Sequence, residues 1–153
     1  MTAIFNSLVD GWKSIAKVLD WLSPLAFLLL RLWVAWAFFK SGYLKITSWD
    51  TTLYLFENEY AVPLLPPLYA AYFATLIELV MPVLLALGLF GRPAALLLFA
   101  FNIMAVISYP DLDPTAARDH QVWGGALLLL ATAGVGRWAC DRWLSEVYAR
   151  HRG

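Results

Sequence analysis

Apolar residues fill four long stretches of the chain, about 24–45, 67–90, 93–109 and 120–140, and polar positions gather between them. A helix rises about 1.5 Å per residue and must cross about 30 Å of hydrocarbon, so a span needs about 20 apolar residues. The first two stretches meet that length outright. The third is shorter, and the fourth reaches it only by including Trp138 to Cys140. The pattern predicts an all-α fold, an integral membrane four-helix bundle.

Ahead of the first stretch, Ile4, Leu8, Trp12, Ile15, Leu19 and Leu22 recur at spacings of three and four, with Asn6, Asp10, Lys13, Lys17 and Asp20 opposite. Such a face suits an amphipathic helix lying in the membrane interface. A cleaved signal peptide fits poorly, because Arg31 interrupts the apolar run, which then continues past Ala35 into Phe38 and Phe39. The chain divides into an interfacial helix (1–22), a four-span domain (23–140) and a basic tail (141–153). In the first loop Leu53, Phe56 and Tyr60 stand at helical spacing, so that loop is expected to lie on the surface.

Each span carries one narrow face of polar and small residues. Arg31, Ala35, Phe38, Gly42 and Lys45 align on the first, and Ala71, Ala74, Glu78, Pro82 and Leu85 on the second. On the third, Ala95, Asn102 and Tyr109 align, and on the fourth His120, Gly124, Leu127, Ala131 and Gly134. Ionisable groups in hydrocarbon cost about 2.5–3.5 kcal/mol each on insertion scales, so these faces should turn inward and find partners. Counted from the outer boundary, Arg31 lies about 21 Å deep, Glu78 about 15 Å and Asn102 about 10 Å. That places Arg31, Glu78 and Asn102 together as a buried polar core. Pro82 also frees the backbone carbonyl of Glu78. An Arg31–Glu78 pair of this kind can serve register alone, so a structural role stands beside a functional one. Lys40 falls on the opposite face and is expected to snorkel to the headgroups.

Composition sharpens the class. The chain of 153 residues is 61% hydrophobic and 14% charged, against about 25% charged in ordinary soluble domains. Eleven basic and eleven acidic residues cancel, which argues against nucleic acid as a partner. One cysteine, Cys140, precludes a dithiol pair, and two histidines do not make a transmembrane haem site. No haem, flavin, iron–sulfur cluster or metal site is expected. Basic residues divide unequally: Lys13, Lys17, Arg92, Arg137, Arg142, Arg150 and Arg152 against Lys45 and Arg118. The excess predicts cytoplasmic N- and C-termini and acidic outer loops. Trp and Tyr clusters at both ends, Tyr60 among them, read as interfacial belts.

The stripe of Arg31, Ala35, Phe38, Ser41-Gly42 and Lys45 resembles the opening of DoxX-family membrane proteins. Glu78 followed by LLALGLFGRPAALLL over 84–98 is similar to their second helix and inner turn. The likeness covers about residues 25–137. The stretch SWDTTLYLFENEYAVPLLPP resembles a subgroup linked to copper- or metal-stress peptides. The resemblance implies a four-helix protein of a bacterial inner membrane, in a family where some members form the membrane subunit of a thiosulfate:quinone oxidoreductase. It marks Arg31, Lys45 and Glu78 as family-type positions.

Two functions of different class follow. The first is a quinone-interacting subunit of a redox or stress-response system, with an apolar slot lined by Phe38, Phe39, Phe73 and Phe99 and a quinone/proton site at Lys45, Glu78, Tyr109 and His120. The second is a non-enzymatic membrane anchor or assembly factor for a soluble partner, in metal homeostasis. A protein partner or homo-oligomer accompanies either reading. An ion or soft-metal carrier is weakly supported, since Met81 and Met104 read as core fillers.

Overall fold

A computed structural model describes residues 2–150, without the side chains of Thr2, Ala3, Ile4 and Ser7. Ile4 of the amphipathic face and Arg152 of the tail therefore fall outside the described residues. The helices are α1 (Thr2–Thr47), α2 (Trp49–Asn58), α3 (Pro67–Leu87), α4 (Gly91–Ser108), α5 (Pro114–Ala133) and α6 (Cys140–Arg150). Among the described residues there is no strand. From Pro24 onward, α1 packs with α3, α4 and α5 into a closed ring in which α1 touches α3 and α5, and α4 touches both of those. Val34, Phe38, Leu85, Leu98, Leu127 and Leu130 form its core.

The outer surface of the ring inverts the pattern of a soluble protein. Trp33, Trp36, Leu76, Leu96, Ile107 and Leu129 are all exposed. A continuous apolar exterior of this kind belongs in lipid. The helices from Leu8 to Thr47, Pro67 to Leu87 and Gly91 to Ser108 are long and apolar enough to cross a membrane. At 20 residues α5 is long enough as well, but it carries Arg118, Asp119, His120 and Gln121 in its second turn and is less apolar.

Three expectations about boundaries change. The fourth helix begins at Pro114 rather than 120, because Asp113 caps it: its carboxylate accepts from Thr115 N at 2.7 Å, and Pro114 occupies the first helical position. That bond holds Asp113 below the usual carboxylate range. The helix also ends at Ala133, so Trp138 to Cys140 lie beyond it. Finally, the interfacial segment and first span are one unbroken helix of 46 residues running through Pro24, about 69 Å long. From Phe5 to Leu22 its described side chains are exposed or half-buried. The expected basic tail is α6, which has no buried residue.

The register of α1 against α3 decides the rest. Gly42 lies against Glu78, and Arg31 lies against Gly88. In this antiparallel pairing α3 begins about two turns beyond the end of α1. That overhang is covered by α2, whose Phe56 packs on Ala70, Ala71 and Ala74. The first loop thus forms a helix on the end of the bundle, as its spacing predicts.

Candidate functional site

At Gly42 the two helices come as close as backbones allow. A Cβ there would stand 2.8 Å from Glu78 Cβ and 2.9 Å from Glu78 C. The close approach brings Ser41 and Lys45, one turn apart on α1, to the Glu78 carboxylate. Lys45 Nζ donates to Glu78 Oε2 at 2.6 Å and to Ser41 Oγ at 2.9 Å, and Ser41 Oγ donates to Glu78 Oε1 at 3.2 Å. Both carboxylate oxygens are engaged, and two of the three ammonium hydrogens are used. The pair is shielded, with the Lys45 and Glu78 side chains 17% and 8% exposed.

Arg31 is not the partner of Glu78. It is 1% exposed at the opposite end of the bundle, where its Nη2 donates to the Trp138 carbonyl at 2.8 Å. Its Nε and Nη1 have no hydrogen-bond partner. The depth estimate failed because it set the end of α1 level with the start of α3, whereas the overhang of α3 raises Glu78 to the level of Gly42, within reach of Lys45. Asn102 also stands apart from Arg31, so the three expected core residues are buried at separate places.

Asn102 instead fixes His120. Its Nδ2 donates to the His120 carbonyl at 2.9 Å, which orients the amide and leaves Oδ1 facing His120 Nδ1 at 2.7 Å. An amide oxygen only accepts, so Nδ1 must carry the hydrogen. In the neutral ring Nε2 is then the free acceptor. Trp123 holds the same ring edge-on, with centroids 5.1 Å apart.

Lys45, Glu78, Tyr109 and His120 all line one cavity of about 430 Å³ at this end of the bundle. α1, α3, the C-terminal cap of α4, and α5 contribute them in turn, and the loop after α2 supplies Tyr60. Apart from Ser41 and Ser108 the remaining walls are apolar, with Phe56 and Phe101 on the inside. The exposed members are Phe73, Leu97, Ala100 and Met104 of α3 and α4 together with Pro63 and Leu65 of the loop before α3, so the mouth runs along the side of the bundle between those two helices and up to that loop. Ser108 also lines the cavity, and its Oγ is buried with no hydrogen-bond partner.

Several expectations shift here. Of the four phenylalanines assigned to an apolar slot only Phe73 reaches the cavity; Phe38 packs in the core against Phe101 and Trp123, and Phe39 stacks on Trp36. Tyr60, read as belt, is half-buried between Phe56 and Tyr109, with ring centroids 4.9 and 5.0 Å away. Sequence reasoning missed Ser41, Tyr60 and Ser108 as lining groups. Ser41 stood one turn before Lys45 on the same face, which was a usable signal; Ser108 had none. Burial, then the neighbouring Tyr109, Glu59 and Glu78, raises the Tyr60 phenol, and Glu59 first of all raises that of Tyr109. Both remain protonated donors at neutral pH.

Residues 26–110 match the family model described as DoxX. The chain belongs to the DoxX family. The match includes Arg31, Lys45, Glu78, Asn102 and Tyr109, and leaves His120 outside it. This DoxX protein is also 31% identical to the inner membrane protein YphA of Escherichia coli K12, over 129 residues covering 78% of this chain and 90% of that one. No solved structure matches it.

Proposed function

We propose that this DoxX protein is a quinone-binding subunit of a bacterial inner-membrane redox or stress-response system, with α5 as a fourth span and both termini in the cytoplasm. The observation that carries the reading is the cavity: largely apolar, with exposed members on the outer faces of α3 and α4, and with the Lys45–Glu78 pair in its wall. A quinone needs an apolar slot reached from the bilayer and hydrogen-bond donors for its carbonyls. The residues present fit that need. Lys45, in the wall of the cavity, has one ammonium hydrogen left over.

A bound quinone would carry two electrons and two protons, the electrons coming from an external reductant or a protein partner. The chain supplies the protons' route. His120 Nε2 can accept a proton while Asn102 holds the ring from behind. Glu78 and Lys45 are joined so that a proton moving between them stays inside the pair. Tyr60 and Tyr109 stand between this end of the cavity and the acidic loop, where Tyr109 Oη donates to Glu59 Oε2 at 3.4 Å.

The test is purification from native membranes in mild detergent, with extraction and quantitation of bound quinone. Wild type should retain quinone in near-stoichiometric amount, and Glu78→Gln and His120→Ala should each retain several-fold less. Wild-type protein that carries none and takes up none when quinone is added would favour the anchor or assembly-factor reading.

A further inference from the structure

At the other end of the bundle a second cavity, of about 640 Å³, lies between α1 and the start of α6. Its walls include Trp21, Trp138 and Trp143 together with Arg137, Arg142 and Glu146. We propose that this groove binds the phosphodiester headgroup of an acidic phospholipid. The site is independent of the quinone reading, which concerns the opposite end.

Charge argues first. Arg137 is exposed and has no ion-pair or hydrogen-bond partner among the described residues. Arg142 Nε meets Glu146 Oε1 at 3.2 Å, but both side chains are about half exposed, at 52% and 54%, so the contact is weak and can open. Behind the floor of the groove stands Arg31, bound to the carbonyl of Trp138 and otherwise unpartnered. Asp141 offsets part of the charge of this buried guanidinium, and the remainder adds positive potential that solvent screens poorly. The remaining nearby carboxylate, Asp141, is committed elsewhere: it accepts from Phe90 N and Gly91 N, both at 2.8 Å. Arg137 and Arg142 thus line the groove with Glu146 as the one carboxylate in its walls, and Arg31 lies behind it.

The aromatic walls separate a lipid from a soluble anion. Trp21, Trp138 and Trp143 are 78%, 59% and 65% exposed, which is costly in water and favourable at headgroup level. Indole faces would contact glycerol and the first methylenes while the arginines take the phosphate. Geometry also leaves room: α6 is tied to the α3–α4 turn through Asp141, whose N donates to the Gly88 carbonyl at 3.0 Å, and does not pack against the bundle. The groove is the gap so left. Basic sites of this kind between membrane helices are suited to acidic headgroups.

The experiment uses the full-length protein in detergent, with native mass spectrometry and thermal unfolding as readouts. Phosphatidylglycerol, phosphatidylcholine and inorganic phosphate are added in separate arms. Phosphatidylglycerol should remain bound and raise the melting temperature, while phosphatidylcholine and inorganic phosphate should do neither. Arg137→Gln and Arg142→Gln should each weaken phosphatidylglycerol binding about fivefold, and Lys40→Gln, remote on α1, should leave it unchanged. Helix content by circular dichroism controls for folding. Equal retention of the two lipids, an equal effect of inorganic phosphate, or an equal loss in Lys40→Gln would each overturn the assignment.

Discussion

Lys45→Ala should destabilise the purified protein by about 3–5 kcal/mol, read from unfolding in a titrated denaturing detergent. The loss comes less from the missing contact than from what remains. Glu78 sits in the bundle at 8% side-chain exposure, and without Lys45 its charge has only the Ser41 hydroxyl to face. Removing both charges should therefore be milder than removing one: Lys45→Met with Glu78→Leu should recover most of the loss. A change below about 0.5 kcal/mol in Lys45→Ala would mean that the pair is solvated or absent, since that is the scale of an exposed ion pair.

The second large effect is expected at Gly88, which ends α3 in the left-handed region at φ +66°. Alanine there carries about 1–2 kcal/mol of backbone strain. Its Cβ would also stand 2.6 Å from Ala139 Cβ and in collision with Arg31 Nη1. Overpacking adds about 1–3 kcal/mol, so Gly88→Ala should lose about 2–5 kcal/mol in the same titration. Arg31→Leu should relieve part of this, because it removes one of the two obstructing groups. The double variant should then fall clearly short of the sum of the singles. Strict additivity would place Arg31 away from Gly88 and return it as a candidate for Glu78.

The lesson of the Arg31 result is one of register. Periodicity alone put Arg31, Phe38, Gly42 and Lys45 on the inner face of α1 and Glu78, Pro82 and Leu85 on that of α3, and all of them do turn inward. A one-dimensional pattern fixes a face but not the sliding of one helix along another. The slide is set by the Gly42–Glu78 approach and by α2 covering the overhang, both tertiary contacts. Lys45, Tyr109 and His120 could be gathered from the sequence because all were assigned near the outer ends of the spans, whereas Glu78 was counted about 15 Å deep and joined them by its chemistry. Arg31 was misplaced because its depth was counted from a boundary that α3 does not share. The start of α5 was legible but overlooked: Asp113-Pro114-Thr115 is a capping signal, and hydropathy outweighed it. The unbroken α1 was not legible, since Pro24 normally argues for a boundary.

The claim that organises the molecule is that a lipid-soluble ring enters between α3 and α4 and stops at the Lys45–Glu78 pair. A photoreactive quinone analogue in native membranes, followed by peptide mapping, tests it directly. Labelling should concentrate on the segments carrying Phe73 and Met104, fall with excess unlabelled quinone, and drop sharply in Glu78→Gln. Label spread over the outer surface at residues such as Trp33 and Leu129, indifferent to competitor, would contradict it.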